Sequence, residues 1–201
     1  MTSPLCLCAF GPLAQVNKMQ DLSLHILDIA ENSIAARAGR ISIKIHESKK
    51  TNLLTIEISD DGMGMDDNML QHAHDPFYTT RTTRKVGLGI PLLSQAAEHC
   101  HGQMTVETEK GKGSTIKASF QHDHIDRKPL GDIASTAAVL IAGNPEINFL
   151  FELRREDEDL IIDTEELKND LEDIPVNSPD VIKIIKDTIN DWLKQTNYVI
   201  E

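Results

Sequence analysis

The chain has 201 residues, 40% of them apolar, enough for a core of domain size, which excludes a wholly disordered protein. Its formal net charge of −12 argues against nucleic acid or an anionic membrane surface as the main partner. Three cysteines (Cys6, Cys8 and Cys100) make no disulfide framework and no apolar run reaches the ~18 residues of a membrane helix, so the expected location is the cytoplasm, with no membrane contact.

Residues 1–18 are mildly apolar, without a basic start or a periodic face, and are expected to be a disordered extension. Residues 21–38 carry Leu24, Leu27 and Ile34 at helical spacing, and Gly39 stands where a C-cap belongs, which predicts a helix. "RISIKIHE" and "NLLTIEISD" alternate apolar and polar residues on either side of the turn "SKKTN", which predicts a hairpin. A short helix is expected over "DDNMLQHAH", followed by "DPFYTTRTTRKVGLG", rich in turn residues and without a period. "IPLLSQAAEHCHG" reads as a helix with Pro91 in its first turn and Gly102 past its end, and "QMTVETEKGKGSTIKASF" as a second hairpin.

Beyond residue 122 the pattern restarts. A helix is expected in "PLGDIASTAAVLIAG", strands in "NFLFELRR" and "DLIID", and helices in "TEELKNDLED" and "PDVIKIIKDTINDWLKQT". The charge divides at the same place: 13 acidic and 12 basic residues in 1–122, against 19 and 8 in 123–201. Two parts with balances of −1 and −11 suggest two modules, 19–122 and an acidic α/β appendage at 123–201 that either extends the first or binds a partner.

Three short pieces carry candidate chemistry. In "EISDDGMGMDD", Asp60 ends a predicted strand and can accept a hydrogen bond from an exocyclic amine, while Gly62 and Gly64 let a flat ring lie against the backbone. Taken alone, the same stretch is equally an acidic turn. In "GLGIPLLSQAAEH", Gly87 and Gly89 stand just before a helix whose free N–H groups and dipole favour phosphate; alone, this is also an ordinary glycine-rich helix start. On the first helix, Asp28 and Asn32 are one turn apart, a carboxylate and an amide that suit magnesium carrying phosphates, or else two solvated surface residues.

In this order and at these spacings the pieces resemble the Bergerat-fold ATPases, the superfamily of histidine kinases, gyrase, heat-shock chaperones and mismatch-repair ATPases. "ENSIAA" looks like the asparagine-bearing N box, "DDGMG" like the D-x-G-x-G box and "DPFYTTR" like the lid box. "GLGI" looks like the phosphate box and "GKGST" like the last glycine box, so the resemblance covers roughly residues 20–121. It implies an α+β fold, a two-layer sandwich of helices on a mixed sheet, with ATP and magnesium as ligands. It assigns Asn32 to magnesium, Asp60 to the adenine, Gly62 and Gly64 to close backbone approach, and Gly87, Leu88 and Gly89 to the phosphates. Arg81, with Arg84 and Lys85, would neutralise triphosphate charge, and Thr115 would support the Asp60 end of the pocket.

Two departures set the chain between subfamilies. Ala35 stands where histidine kinases carry a basic residue, and Asp28 stands where the gyrase and mismatch-repair branch carries a glutamate base. His25 has no dimerisation helix before it and is not expected to accept phosphate. The expected function is a stand-alone ATP-binding protein of histidine-kinase-like type. It would act as a regulator through slow magnesium-dependent ATP hydrolysis or protein phosphorylation, with Asp28 as the catalytic carboxylate. A protein partner is expected, and a homodimer is left open. The alternative is a non-catalytic, nucleotide-gated interaction module.

Overall fold

The computed structural model describes residues 21–65 and 89–196. In chain order these form α1 (Leu22–Ala35), β1 (Arg40–Ser48), β2 (Leu53–Asp60), α2 (Gly89–His99), β3 (Met104–Glu109) and β4 (Gly113–Gln121). They continue as α3 (Ile133–Gly143), β5 (Asn148–Arg155), β6 (Glu158–Asp163), α4 (Thr164–Asp170) and α5 (Pro179–Gln195). The expected helix over "DDNMLQHAH" lies outside the described residues.

Strand alternation decides how these elements pack. Ile41, Ile43 and Ile45 of β1, Leu54, Ile56 and Ile58 of β2, Ile116, Ala118 and Phe120 of β4, and Phe149, Phe151 and Leu153 of β5 are all buried. Each set recurs every second residue and so lies on one face of the sheet. The strands lie in the order β3-β4-β2-β1-β5-β6; every neighbouring pair is antiparallel except β1 and β5, which run parallel. Helices pack on the apolar face through their own stripes: Leu22, Ile26 and Ile29 of α1, Leu93 and Ala97 of α2, and Val181, Ile185, Ile189 and Leu193 of α5. On the opposite face Glu57 pairs with Lys44 at 3.4 Å and with Lys117 at 3.5 Å. The fold is therefore α+β, helices on one side of a mixed six-stranded sheet.

Residues 123–196 are built into this sheet and its core. β5 lies beside β1 over eight residue pairs, Arg40 opposite Asn148 through Glu47 opposite Arg155. Arg155 and Glu47 form a buried ion pair, with Arg155 Nε donating to Glu47 Oε2 at 2.8 Å. His122 Nε2 meets the other carboxylate oxygen at 2.5 Å, and Arg155 also donates to the Thr196 carbonyl at the end of α5. Burial alone would raise the Glu47 carboxyl, but Arg155 and His122 outweigh it and hold it below its ordinary value.

The segment after β4 also closes the start of α1. Asp21 caps that helix by accepting from the Leu24 amide at 3.1 Å. The Leu22 and Ser23 amides, which have no partner within the helix, donate to the carbonyls of Pro129 at 3.0 Å and Leu130 at 2.8 Å.

Candidate functional site: the strand ends around Asp60

Asp60 ends β2 between Ile41 of β1 and Ser114 of β4. Its carboxylate is held from two sides. The Ser33 hydroxyl of α1 donates to Oδ2 at 2.7 Å, and the Gly62 amide donates to Oδ1 at 2.9 Å. An ionised carboxylate has about four acceptor positions, so one protein donor on each oxygen leaves capacity for an amine from a ligand. The neighbouring Asp61 plays a different part. Its Oδ1 accepts from the Gly39 and Arg40 amides at 2.7 and 2.8 Å, fixing the turn between α1 and β1. The sequence reading does not separate the two aspartates; the hydrogen bonds do.

The glycines that follow are explained within the protein. A Cβ on Gly62 would come within 2.9 Å of both the Ala36 carbonyl oxygen and Asp60 Oδ1. Gly64 has φ +63°, and a Cβ there would stand 2.2 Å from the Glu109 carbonyl oxygen. The loop after β2 is thus seated against the β3–β4 hairpin, an arrangement only glycine permits at position 64. Thr108 anchors it further: its Oγ accepts from the Met65 amide at 2.8 Å and donates to the Gly113 carbonyl at 3.0 Å. The Ser114 hydroxyl lies 2.9 Å from the same Thr108 oxygen.

Thr115 stands opposite Ser59 and donates to its hydroxyl at 3.1 Å. Side chains alternate along a strand, so Thr115 and Ser59 occupy the polar face, while Asp60 and Ser114 share the helix-covered side. The structure thus brings Ser33, Asp60, Gly62 and Ser114 together and sets Thr115 behind them. Counting inward from buried Ile116 and Ala118 would have pointed to Ser114 from the sequence; no local pattern marks Ser33.

The second focus is the start of α2. Gly89 is its first residue, and a Cβ on Gly89 would fall 2.1 Å from Asp28 Oδ2, so the Asp28 carboxylate lies directly against it. Asn32 follows Asp28 by one turn of α1 and precedes Ser33. One helix therefore presents Asp28 to the glycine of the phosphate box and Ser33 to Asp60. Arg81, Gly87 and Leu88, with Arg84 and Lys85, lie outside the described residues. Among the described residues no three His, Cys, Asp or Glu side chains are grouped to hold a metal ion. Magnesium at this site would draw on one or two protein oxygens, completed by phosphate and water, as is usual for that ion.

His25, one turn before Asp28, is fully buried, and its Nε2 faces the Lys128 ammonium at 2.9 Å. Burial first and Lys128 second bring its pKa down to about 4, against an opposing effect of Asp21. A neutral, enclosed imidazole that accepts from an ammonium is part of the core and is closed to a phosphate donor.

A helix carrying carboxylate, amide and hydroxyl groups along the ends of a mixed sheet, with glycine-built loops beside it, defines a nucleotide-binding α+β domain. Residues 17–124 match the model of the histidine kinase-, DNA gyrase B- and HSP90-like ATPases. That span is more than half of the chain, which therefore belongs to this ATP-binding family. Sporulation kinase B of Bacillus subtilis (strain 168) is 29% identical over 103 residues, covering 51% of this chain and 24% of that protein. Sporulation kinase E of the same organism is 32% identical over 100 residues, covering 50% and 13%. The sensor protein kinase FleS of Pseudomonas aeruginosa is 33% identical over 89 residues, covering 44% and 22%. The chain thus spans a quarter or less of the length of these kinases. A crystal structure of the N-terminal domain of a DNA repair protein superimposes with a TM-score of 0.49 at 18% identity, covering 72% of this chain and 52% of that one.

Proposed function

We propose that the protein binds ATP with magnesium beside α1, at the end of β2 and the start of α2, and uses it slowly, by hydrolysis or by phosphorylating a partner protein. Asp60 accepts the adenine amine, with Ser33 and Gly62 holding its carboxylate in place. Gly62 and Gly64 bring the backbone close to the ring, and Gly87, Leu88 and Gly89 supply amides to the phosphates. Arg81 offsets their charge, Thr115 braces the Asp60 end through Ser59, and Asn32 would hold the magnesium. Magnesium when bound neutralises phosphate charge; the proton of an attacking water or hydroxyl goes to Asp28. The observation that carries this reading is that a single helix, α1, puts Ser33 on Asp60 and Asp28 on Gly89. Its downstream role is regulation of a protein partner in the cytoplasm, the kind of role that the sensor and sporulation kinases suggest by their names. No described helix is long and apolar enough to cross a membrane. Titration of ATP with and without magnesium, followed by γ-labelled ATP turnover in the presence of a cell extract, tests binding and chemistry separately.

A second reading, nucleotide-gated partner binding without chemistry, is favoured by one observation. The carbonyls of Pro129 and Leu130 close the start of α1, so the helix that carries the site is tied to the acidic C-terminal part. Binding without turnover in the same assay selects it.

A further inference from the structure

We infer that β6 is a docking edge, where an extended basic segment of a partner protein joins the six-stranded sheet as a further strand. This rests on the reading above only in requiring a protein partner; the nucleotide site plays no part in it. β6 ends the strand order and lies beyond residues 17–124, the span that matches the ATPase family. Among the described residues, no backbone hydrogen bond other than the ladder with β5 reaches residues 158–162. The outer row of amides and carbonyls is therefore open to another strand, a row that edges ordinarily guard with lysine, proline or a bulge. "EDLIID" has no lysine and no proline, and its pairing with β5 runs from Glu158 to Asp163 without a bulge. Its guard is acid alone.

The register decides what kind of strand fits. Asp159 and Ile161 stand opposite Arg154 and Glu152 on the open face of the sheet, while Glu158 and Leu160 alternate to the helix-covered side. Glu158 and Asp159 are exposed, and the arginines opposite them, Arg155 and Arg154, turn instead to Glu47 and Glu152. Ile161 is 56% exposed. An added strand gains most with basic residues beside Glu158 and Asp159 and apolar ones beside Leu160 and Ile161, because opposite charges and apolar pairs stabilise neighbouring strands. The balance of −11 over residues 123–201 draws such a segment from a distance. A second copy of the chain fits less well. Antiparallel pairing of "EDLIID" with itself in full register sets Glu158 beside Asp163 of the second copy at both ends, and like charges in that position repel.

Fluorescence anisotropy on the full chain, without nucleotide, tests this with a short labelled peptide carrying adjacent lysine and arginine followed by valine, isoleucine and valine. Saturable binding is expected, and the double change Glu158→Lys and Asp159→Lys should weaken it about tenfold. The same peptide with glutamates in place of its basic residues should bind the double variant better than the wild type. Two further peptides, N-methylated at alternate residues to remove the amides of one edge or of the other, probe the wild-type chain itself. One should lose about tenfold or more in affinity and the other keep it, because strand addition uses a single edge of the peptide. Absence of binding, equal binding by the double variant, or an equal effect of the two methylation patterns overturns the inference. Sedimentation of the chain alone covers the other occupant: a wild-type dimer that the peptide dissociates gives the edge to a second copy and overturns it too. ATP titration is read separately, so failure here leaves the nucleotide reading standing.

Discussion

Ser33 and Asp60 are joined by a 2.7 Å hydrogen bond that ties α1 to the end of β2 across 27 residues of sequence. The hydroxyl is buried, and the carboxylate takes its second donor from the Gly62 amide. A side chain fixed in this way meets a ligand already oriented, which lowers the ordering cost of binding. The same bond links the two segments: Asp60 is the acceptor, and the Ser33 hydroxyl, one residue after Asn32, donates to it and holds it in place.

The first expectation follows from that bond. Asp60→Ala removes the acceptor and leaves the amine of bound adenine unpaired, which costs about 1–3 kcal/mol, or roughly ten- to a hundredfold in ATP affinity. Discrimination against GTP falls with it. Ser33→Ala keeps the carboxylate but frees it, and about 1 kcal/mol is expected there. Calorimetric titration with ATP and GTP measures both, and an unchanged affinity in Asp60→Ala removes the adenine assignment.

Much of this arrangement is legible in the sequence. The period of two in "RISIKIHE" and "NLLTIEISD" places Ile41, Ile43, Ile45, Ile56 and Ile58 inside, because one face of an antiparallel hairpin must be covered. The boxes place Asp60 and Gly89 at element ends. What the pattern cannot provide is long-range pairing. Nothing local in "NFLFELRR" says that it runs parallel to β1, because that choice depends on the length and route of the connection through α3. Parity with Ile116 and Ala118 puts Ser114 on the apolar face, but its place opposite Asp60 needs the register with β2, and Asp61 becomes a turn-holding residue only once Gly39 and Arg40 are folded next to it.

Truncation after Gln121 tests how far the C-terminal part supports the site. Without it, β1 loses its parallel neighbour, the Leu22 and Ser23 amides lose the Pro129 and Leu130 carbonyls, and buried Glu47 loses both Arg155 and His122. Stripping the partners from a buried charge alone costs about 3–5 kcal/mol, comparable with the total stability of many domains. The truncated chain is expected to melt far below the full one or not to fold cooperatively, although its nucleotide motifs are intact. Equal melting temperatures would show that residues 122–201 are dispensable for the fold.

Stability is expected to fall on acidification in two stages. The folded pKa of His25 is about 4, below its ordinary 6.5, so the unfolded chain binds more protons between those values. Its contribution is complete above pH 6.5 and is lost as pH falls through 4, on the order of 3 kcal/mol. The Glu47 carboxyl is also depressed below its ordinary 4.5, so its contribution is present above 4.5 and lost only at lower pH. His25→Gln is therefore expected to flatten the stability curve between pH 6.5 and 4 and to leave the steeper acid limb. Denaturant titrations at half-unit pH steps give the slope directly, and an unaltered slope in the variant would place the titration elsewhere.

The final expectation concerns turnover at Asp28. This carboxylate abuts Gly89 at the start of α2, where related ATPases carry the longer glutamate. A side chain shorter by one methylene withdraws its oxygens by about 1 Å, and misplacement on that scale costs on the order of a hundredfold in rate. If Asp28 takes the proton of a water or an acceptor hydroxyl, as proposed, slow hydrolysis is the expected outcome. In saturating magnesium, Asp28→Asn should abolish the residual turnover while holding ATP affinity within a few-fold, because the metal already screens the charge that the substitution removes. Asp28→Glu should keep the turnover or raise it, the extra methylene restoring the reach. Single-turnover assays with γ-labelled ATP separate these effects from binding. If the rate is indifferent to both substitutions, Asp28 is not the base, and nucleotide-gated partner binding becomes the better reading.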